Sequence, residues 1–342
     1  EWQVAEGRNH QPSAIGHQHL KRGIGFASTL NVGGGARIYR SDGCGATVKV
    51  DDFGHVSLIT GSTEIGQGSE TVLAQIVAEV LGVKVDDVTV LNSDTDVKPW
   101  DVGVHASRTT FIAGNAAHIA AIDARRQLFE TAAGMLKASV DELGVRDGHV
   151  FANGQSVELS KVARARHFRE GGQVIIGEGW YDPPTKLVYK DTYKGNISET
   201  YCFGSQMAEV EVDTETGKVR VLRLVCANDV GRAINPMAVE GQIQGGAQMG
   251  LGYALTEEVI VKEGRVLNPD FLDYRMFTAA DMPEIETIII ETNDPQGPFG
   301  AKGVGEMGGT PTAAAIANAI YDAVGVRMTK LPMTPERILK AL

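Results

Sequence analysis

The sequence predicts an α+β fold of two mixed subdomains. Its 342 residues are enough to bury a large core. Strand and helix signals alternate without a regular strand–helix–strand rhythm, which argues against a doubly wound parallel sheet. The clearest strands come as hairpins, two alternating runs joined by turn residues. The expected division is a polar arm or linker over residues 1–20, a first subdomain over 21–175 and a second over 176–342.

Taken in order, the arm carries His10, His17 and His19 in a stretch with no clear period. Residues 47–50 and 55–60 alternate around Asp51-Asp52-Phe53-Gly54 and predict a hairpin. Residues 69–81 repeat apolar side chains at helical spacing, and 88–91 follow as a short strand. A long helix is expected over 109–133, resuming after a break over 138–143. Residues 149–154 read as strand and turn, and 165–200 as a long looped connection. A second hairpin spans 207–226 about Asp213-Thr214-Glu215-Thr216-Gly217. Residues 237–251 predict a helix rich in small residues, which should pack closely on something. A third hairpin turns at Glu263-Gly264. Residues 285–292 predict a buried β-branched strand. Helices over 312–323 and 335–342 close the chain, with Thr310 as the N-cap and Pro311 as the first helical residue of the former.

The net charge of −11 argues against nucleic acid or an anionic membrane surface as partner. No apolar run approaches the ~20 residues of a membrane span, and no secretory signal is visible at the start. Cys44, Cys202 and Cys226 are too few and too scattered for a disulfide framework, a zinc site or an iron–sulfur cluster. The default compartment is cytoplasmic.

The 41 glycines collect in blocks at 31–35, 61–68, 241–252 and 297–309. Glycine lets backbone approach a ligand closely, and each block carries polar groups suited to one. In Gly61-Ser62-Thr63-Glu64-Ile65-Gly66-Gln67-Gly68, backbone donors lead into a helix N-terminus, which favours anions. The spacing matches neither a Walker loop nor a dinucleotide fingerprint. Gln67 offers an amide donor and an acceptor, although taken alone it reads as a polar turn residue. In His105-Ala106-Ser107-Arg108-Thr109-Thr110 the hydroxyls can cap the long helix or bind a phosphate or pterin group. Arg108 can pair with a phosphate or a carboxylate. Gln242 and Gln244 fall in a helix of small residues, where a buried amide needs a partner. Glu306 sits among Gly300, Gly303, Gly305, Gly308 and Gly309 before a helix. It is either a general base beside an anionic cofactor or a charge that complements the helix dipole.

Together and in this order, four segments resemble the xanthine oxidase family of molybdenum hydroxylases. They are Thr63-Glu64-Ile65-Gly66-Gln67-Gly68, Ala106-Ser107-Arg108-Thr109, Asp229-Val230-Gly231 with Asn235-Pro236, Glu240-Gly241-Gln242 and Gln244-Gly245, and Gly300-Ala301-Lys302-Gly303-Val304-Gly305-Glu306. The resemblance runs from about Lys21 to the end and implies the family's second molybdopterin-binding domain. The family's first half, with its Gly-Phe-Gly-Gly loop, has no counterpart here. The expectation is therefore half of a split molybdenum subunit, similar to the medium subunit of nicotinate dehydrogenase, or a fragment.

The resemblance implies that Glu306 is the catalytic base. It implies that Gly66, Gln67, Gly68, Ala106, Ser107, Arg108, Thr109, Thr110, Gln242 and Gly305 line a molybdopterin cytosine dinucleotide. Its molybdenum would carry a sulfido or selenido group and take no protein ligand. Partner subunits would hold the other molybdopterin half, [2Fe–2S] clusters and FAD. The implied reaction is hydroxylation of an electron-poor carbon in an aromatic N-heterocycle such as nicotinate, with water as the oxygen source. Reductive chemistry like that of 4-hydroxybenzoyl-CoA reductase, oxidation of xanthine, other purines or aldehydes, and a non-catalytic cofactor scaffold stay open.

Overall fold

The computed structural model describes residues 19–342. His10, His17 and nearly all of the expected arm lie outside them. Leu20 already opens the first strand, β1 (Leu20–Val32).

Two four-stranded sheets organise the chain. The first runs in the order β4 (Val88–Leu91), β3 (Val56–Thr60), β2 (Cys44–Val50) and β8 (Ile175–Tyr181). Strands β2 and β3 form the predicted hairpin. Asp51 Oδ1 closes its turn by accepting from the amides of Phe53 and His55, both at 2.9 Å. Helix α1 (Ser69–Leu81) crosses over from β3 to the parallel strand β4. Helix α2 (Thr109–Leu136) lies on β8 through an alanine face that includes Ala116, Ala120 and Ala124. That close approach needs Gly177 and Gly179 in β8, where any Cβ would run into the carbonyl oxygens of Ala120 and Ala116. The first core fills the space between α1, α2 and this sheet. A small sheet of β5 (Gly144–Arg146), β6 (His149–Ala152) and β7 (Gln155–Glu158) leads into α3 (Leu159–His167).

The second sheet runs in the order β1, β9 (Tyr201–Asp213), β10 (Val219–Asp229) and β13 (Glu284–Ile290). Strands β1, β9 and β10 are antiparallel, and β13 joins β10 in parallel. One face is covered by α4 (Pro236–Leu255) and α5 (Thr312–Val324), which with it enclose the second core. Gly23 and Gly25 in β1 leave no room for a Cβ beneath the α5 carbonyls of Ala319 and Ala315. A two-stranded ribbon of β11 (Val261–Lys262) and β12 (Arg265–Val266) and the short α6 (Pro335–Leu339) complete the fold.

Several expectations are corrected. The looped connection at 165–200 contains β8, and β1 and α3 were not foreseen. Each sheet draws a strand from across the expected boundary at 175/176, since β1 pairs with β9 and β8 with β2. Helix α2 does not resume at 138–143. Lys137 ends it at φ 52, and only a 3-10 turn, Val140–Glu142, follows. Strand β13 alternates between exposed and half-buried residues, because it is an edge strand with one face uncovered by the described residues. Pro311, not Thr310, is the N-cap of α5. Among the described residues no helix is long and apolar enough to cross a membrane.

Candidate cofactor and active site

A cavity of about 360 Å³ opens where three helices begin. Its lining includes Ser69 and Val72 from the first turn of α1, Thr109 and Thr110 from α2, and Ala238 and Val239 from α4. A helix N-terminus presents unpaired N–H groups and the equivalent of about half a positive charge. Two of the three ends are already engaged. Glu64 accepts from the amides of Gly66, Gly68 and Glu70 and from the Ser69 hydroxyl, at 2.7 to 3.1 Å. Burial opposes ionisation of Glu64, but these donors outweigh it and hold its pKa below the ordinary value. Asn235 Oδ1 caps α4 by accepting from the Ala238 amide at 3.1 Å. The third end, of the 28-residue α2, has no side-chain cap. Its donors are the natural place for an anionic ligand group.

Glu306 lines the same cavity, next to the segment that leads into α2. Its Oε2 accepts from Ser107 Oγ at 2.8 Å and from Asn31 Nδ2 at 3.2 Å. Its backbone amide donates to Ser107 Oγ at 3.1 Å. No described residue bonds to Oε1. The loop beneath is tightly held. The Gly303 amide donates to the Gly33 carbonyl at 2.8 Å, and a Cβ on Gly303 would run into the Ser107 carbonyl oxygen. Gly246 of α4 lies against Gly308, which is the close packing predicted for the small-residue helix. Lys302 Nζ is buried on Asp229 Oδ2 at 2.7 Å. Burial of Asp229 raises its pKa, but Lys302, the Gly231 amide and Thr292 together bring it below the usual carboxylate range. The side chain of Thr310 turns back to the Glu306 carbonyl at 3.0 Å, so it does not cap α5.

Ser107 reaches Glu306 from an unusual backbone. Ala106 and Ser107 both take positive φ, 49° and 50°. Such conformations cost non-glycine residues on the order of 1–3 kcal/mol each and persist only where surrounding contacts impose them. Arg108 supplies such contacts. Its guanidinium is fully buried, grips Asp101 with both oxygens at 2.9 and 2.8 Å, and bonds to Asp42 Oδ1 at 3.1 Å. It also donates to the carbonyls of Asp42, Gly43 and Gly103. Burial pushes the Asp42 pKa up despite this pairing.

Gln67, Ala106, Ser107, Arg108, Thr109, Thr110, Gln242, Gly305 and Glu306 all line the cavity. Gly66 and Gly68 do not; they make the turn ahead of α1 at φ 100° and 79°. Of the two partners open to the Arg108 head group, a phosphate or a carboxylate, the fold takes the second, and the guanidinium is committed to carboxylates and carbonyls inside the chain. The Gln67 amide is also engaged locally, with the Thr63 carbonyl, the Ser69 hydroxyl and the Ile65 amide. The Gln242 amide bonds to no described residue. Sequence reasoning did not single out Asn31, His105, Arg232, Asn235 or Lys302 as site residues. His105 lines the cavity with both ring nitrogens buried and unpartnered. Asn31, His105 and Lys302 stood inside segments already marked by their glycines or hydroxyls, and that was the available signal.

Among the described residues no group of three or more His, Cys, Asp and Glu side chains gathers to hold a metal ion. The cavity offers instead an open helix end, an unpaired amide, an imidazole and one carboxylate. This set suits a large, polar, partly anionic organic ligand next to a proton acceptor.

Residues 2–283 match the molybdopterin cofactor-binding domain family. The chain belongs to this family, within the xanthine oxidase group of molybdenum hydroxylases. It is 36% identical over 349 aligned residues to a putative xanthine dehydrogenase molybdenum-binding subunit of Escherichia coli (strain K12). That alignment covers 99% of this chain, Glu306 loop included, and 44% of the relative. It is 38% identical to subunit gamma of the 6-hydroxypseudooxynicotine dehydrogenase complex of Paenarthrobacter nicotinovorans, over 85% of this chain and 36% of the relative. Quinoline 2-oxidoreductase from Pseudomonas putida 86 superposes with a TM-score of 0.83 at 32% identity, over 94% of this chain and 42% of that one. The chain thus spans less than half the length of these relatives.

Proposed function

We propose that this chain is the part of a molybdenum hydroxylase that holds one side of the cofactor and supplies the catalytic base. The observation that carries this is the cavity itself, in which an uncapped helix end stands beside a carboxylate clamped through one oxygen only. The open donors of α2 would take an anionic group of the cofactor. The Gln242 amide and the His105 ring would take polar edges that no protein group satisfies. Cytosine dinucleotide is the form of molybdopterin we assign. Bound there, the cofactor supplies the oxygen-transfer and electron-accepting chemistry that side chains lack.

The chain's own contribution is a proton acceptor in a fixed position. Ser107 and Asn31 hold Oε2 of Glu306 and leave Oε1 to receive the proton released in hydroxylation. General-base assistance of this kind is worth ~10²–10⁴-fold in rate. The side chains of Ile65, Val72, Val104, Ile234 and Val239 make much of the remaining wall apolar, which suits a flat aromatic substrate and excludes water.

The substrate class we favour is an aromatic N-heterocycle, oxidised at an electron-poor carbon with oxygen from water. Support comes from relatives whose names specify 6-hydroxypseudooxynicotine dehydrogenase, nicotine 6-hydroxylase and quinoline 2-oxidoreductase. A purine substrate is the second reading, favoured by the near-complete coverage of this chain by the xanthine dehydrogenase relative. The electrons would leave through [2Fe–2S] clusters and FAD held outside these residues, and the rest of the cofactor site would come from a second molybdopterin-binding half, on this chain or on another.

The test is native mass spectrometry of the assembly purified from its host, with metal analysis. One molybdenum per copy of this chain, together with a cytosine dinucleotide released on denaturation, is expected. A metal-free assembly would sink the enzyme reading in favour of a scaffold. The same chain expressed alone should carry no molybdenum.

A further inference from the structure

The second sheet has one finished face and one bare one. Helices α4 and α5 cover the first. No described element covers the other. An antiparallel sheet can face water on one side when that side is polar, but here much of it is not. Phe26, Leu30 and Phe203 are 65%, 61% and 60% exposed. The strand register makes the patch continuous. Leu30 faces Phe203 across β1 and β9, and Phe26 faces Met207, which in turn faces Val225 of β10. Ser28 and Ser205 lie between them, with their hydroxyls bonded to each other at 3.1 Å.

The polarity is graded along the strands. At one end Arg22 pairs with Glu211 and Arg223 with Glu286, as a solvated surface would. At the other end stand Leu30 and Phe203. They neighbour Asn31, which bonds to Glu306, and Cys202, whose thiol bonds to the Gly303 carbonyl. The apolar end is therefore the end that carries the Glu306 clamp. The whole face, four strands ~4.8 Å apart over about seven residues of ~3.4 Å rise, is on the order of 450 Å², and its apolar part is smaller. The largest exposed apolar patch on a protein is often functional.

The relatives indicate what covers it. The xanthine dehydrogenase relative matches 99% of this chain but has more than half its own polypeptide outside the match, as does CO dehydrogenase, of which 41% is matched. In each of them this unit has a companion body on the same chain. We propose that the bare face of the second sheet is the docking surface for that companion polypeptide, carried on this chain or on a separate one. The inference rests on the function proposed above for the companion's identity, and on the sheet alone for the location. Docking would set an apolar layer directly behind the strand ends that hold Asn31 and Cys202.

The experiment places a photo-crosslinking benzoylphenylalanine at Phe203 of the tagged protein in its native host. The assembly is purified, irradiated and mapped by mass spectrometry. The expected crosslink joins Phe203 to a sequence that aligns with the unmatched part of the xanthine dehydrogenase relative. The double variant Phe26→Asp, Phe203→Asp should then retain at least ~10-fold less of that polypeptide, with unchanged far-UV circular dichroism. Crosslinks to a second copy of this chain, to residues 1–18, or to an iron–sulfur or flavin polypeptide would overturn the proposal, as would solvent adducts alone. Molybdenum content on the same sample separates this inference from the function. Metal with crosslinks elsewhere defeats the docking surface and leaves the function standing. The expected crosslink in a metal-free assembly does the reverse.

Discussion

Glu64 and Glu306 look alike in the sequence. Each is a single carboxylate in a glycine-rich loop just ahead of a helix. In the fold they are opposites. Glu64 folds back on its own loop and takes donors from Gly66, Gly68, Ser69 and Glu70, all within six residues. It is the charge that completes the helix, the bland alternative considered for Glu306. Glu306 takes no donor from α5. Its partners Ser107 and Asn31 come from 199 and 275 residues away. A carboxylate satisfied by local backbone is structure; one positioned by distant side chains with an oxygen left over is available for chemistry.

The sharpest way to break this contrast is Glu306→Gln. Assembly and cofactor content should stay near wild type, while reduction of the enzyme by substrate slows at least ~10²-fold in rapid-mix kinetics. A rate within a few-fold of wild type removes Glu306 from the mechanism. Next is Ser107→Ala, which deletes the shorter of the two side-chain bonds to Oε2. A hydrogen bond to a charged group is worth about 1.5 kcal/mol, roughly tenfold in rate. The loss should appear in the reductive rate with metal content unchanged; a loss of metal instead would make Ser107 a cofactor ligand.

Gln242→Ala and Gln67→Ala extend the contrast to the amides. Gln242 has no described partner, so its removal should weaken cofactor retention about fivefold on dilution and leave the melting temperature alone. Gln67 is bonded within its loop, so its loss should destabilise the chain by about 1–3 kcal/mol. Equal effects of both on metal occupancy would show that Gln67 also faces the cofactor.

The smallest effect belongs to Glu64→Gln, about 1 kcal/mol of stability with little change in rate per bound metal. Its pH dependence has a definite sign. The folded pKa of Glu64 is below the unfolded one. Its stabilisation is therefore fully present above the unfolded value and is lost as pH falls through the folded value. The gap in melting temperature between wild type and Glu64→Gln should close on acidification. A gap constant with pH would mean that the carboxylate charge plays no part.

The elements that sequence made legible are those with a complete local pattern. The hairpin of β2 and β3 has its Asx turn, α1 its apolar stripe, and β9 and β10 their alternation about Asp213. Strands β1 and β8 were hidden for one physical reason. Both carry alternating glycines, Gly23 and Gly25 in one and Gly177 and Gly179 in the other. These lower strand propensity and make sense only against a helix from elsewhere in the chain. The site was legible as a set of residue types, and nine of the expected residues border one cavity. Their individual duties were not. Nothing near Arg108 in sequence indicates that Asp42 would claim it, and nothing near Glu306 indicates Asn31.

The reach of the Glu306 clamp has a consequence for the order in which the molecule is made. Contacts between residues hundreds of positions apart are entropically the last to close. The hairpin of β2 and β3 can form early from neighbouring residues, but Ser107 and Asn31 meet Glu306 only once all the residues from 31 to 306 have been synthesised. A chain stalled before Glu306 would own the first core, only part of the second, and no clamp. The geometry at Glu306 thus reports that residues 31 to 306 are in place, and cofactor insertion that depends on it would pass over chains stalled before that point.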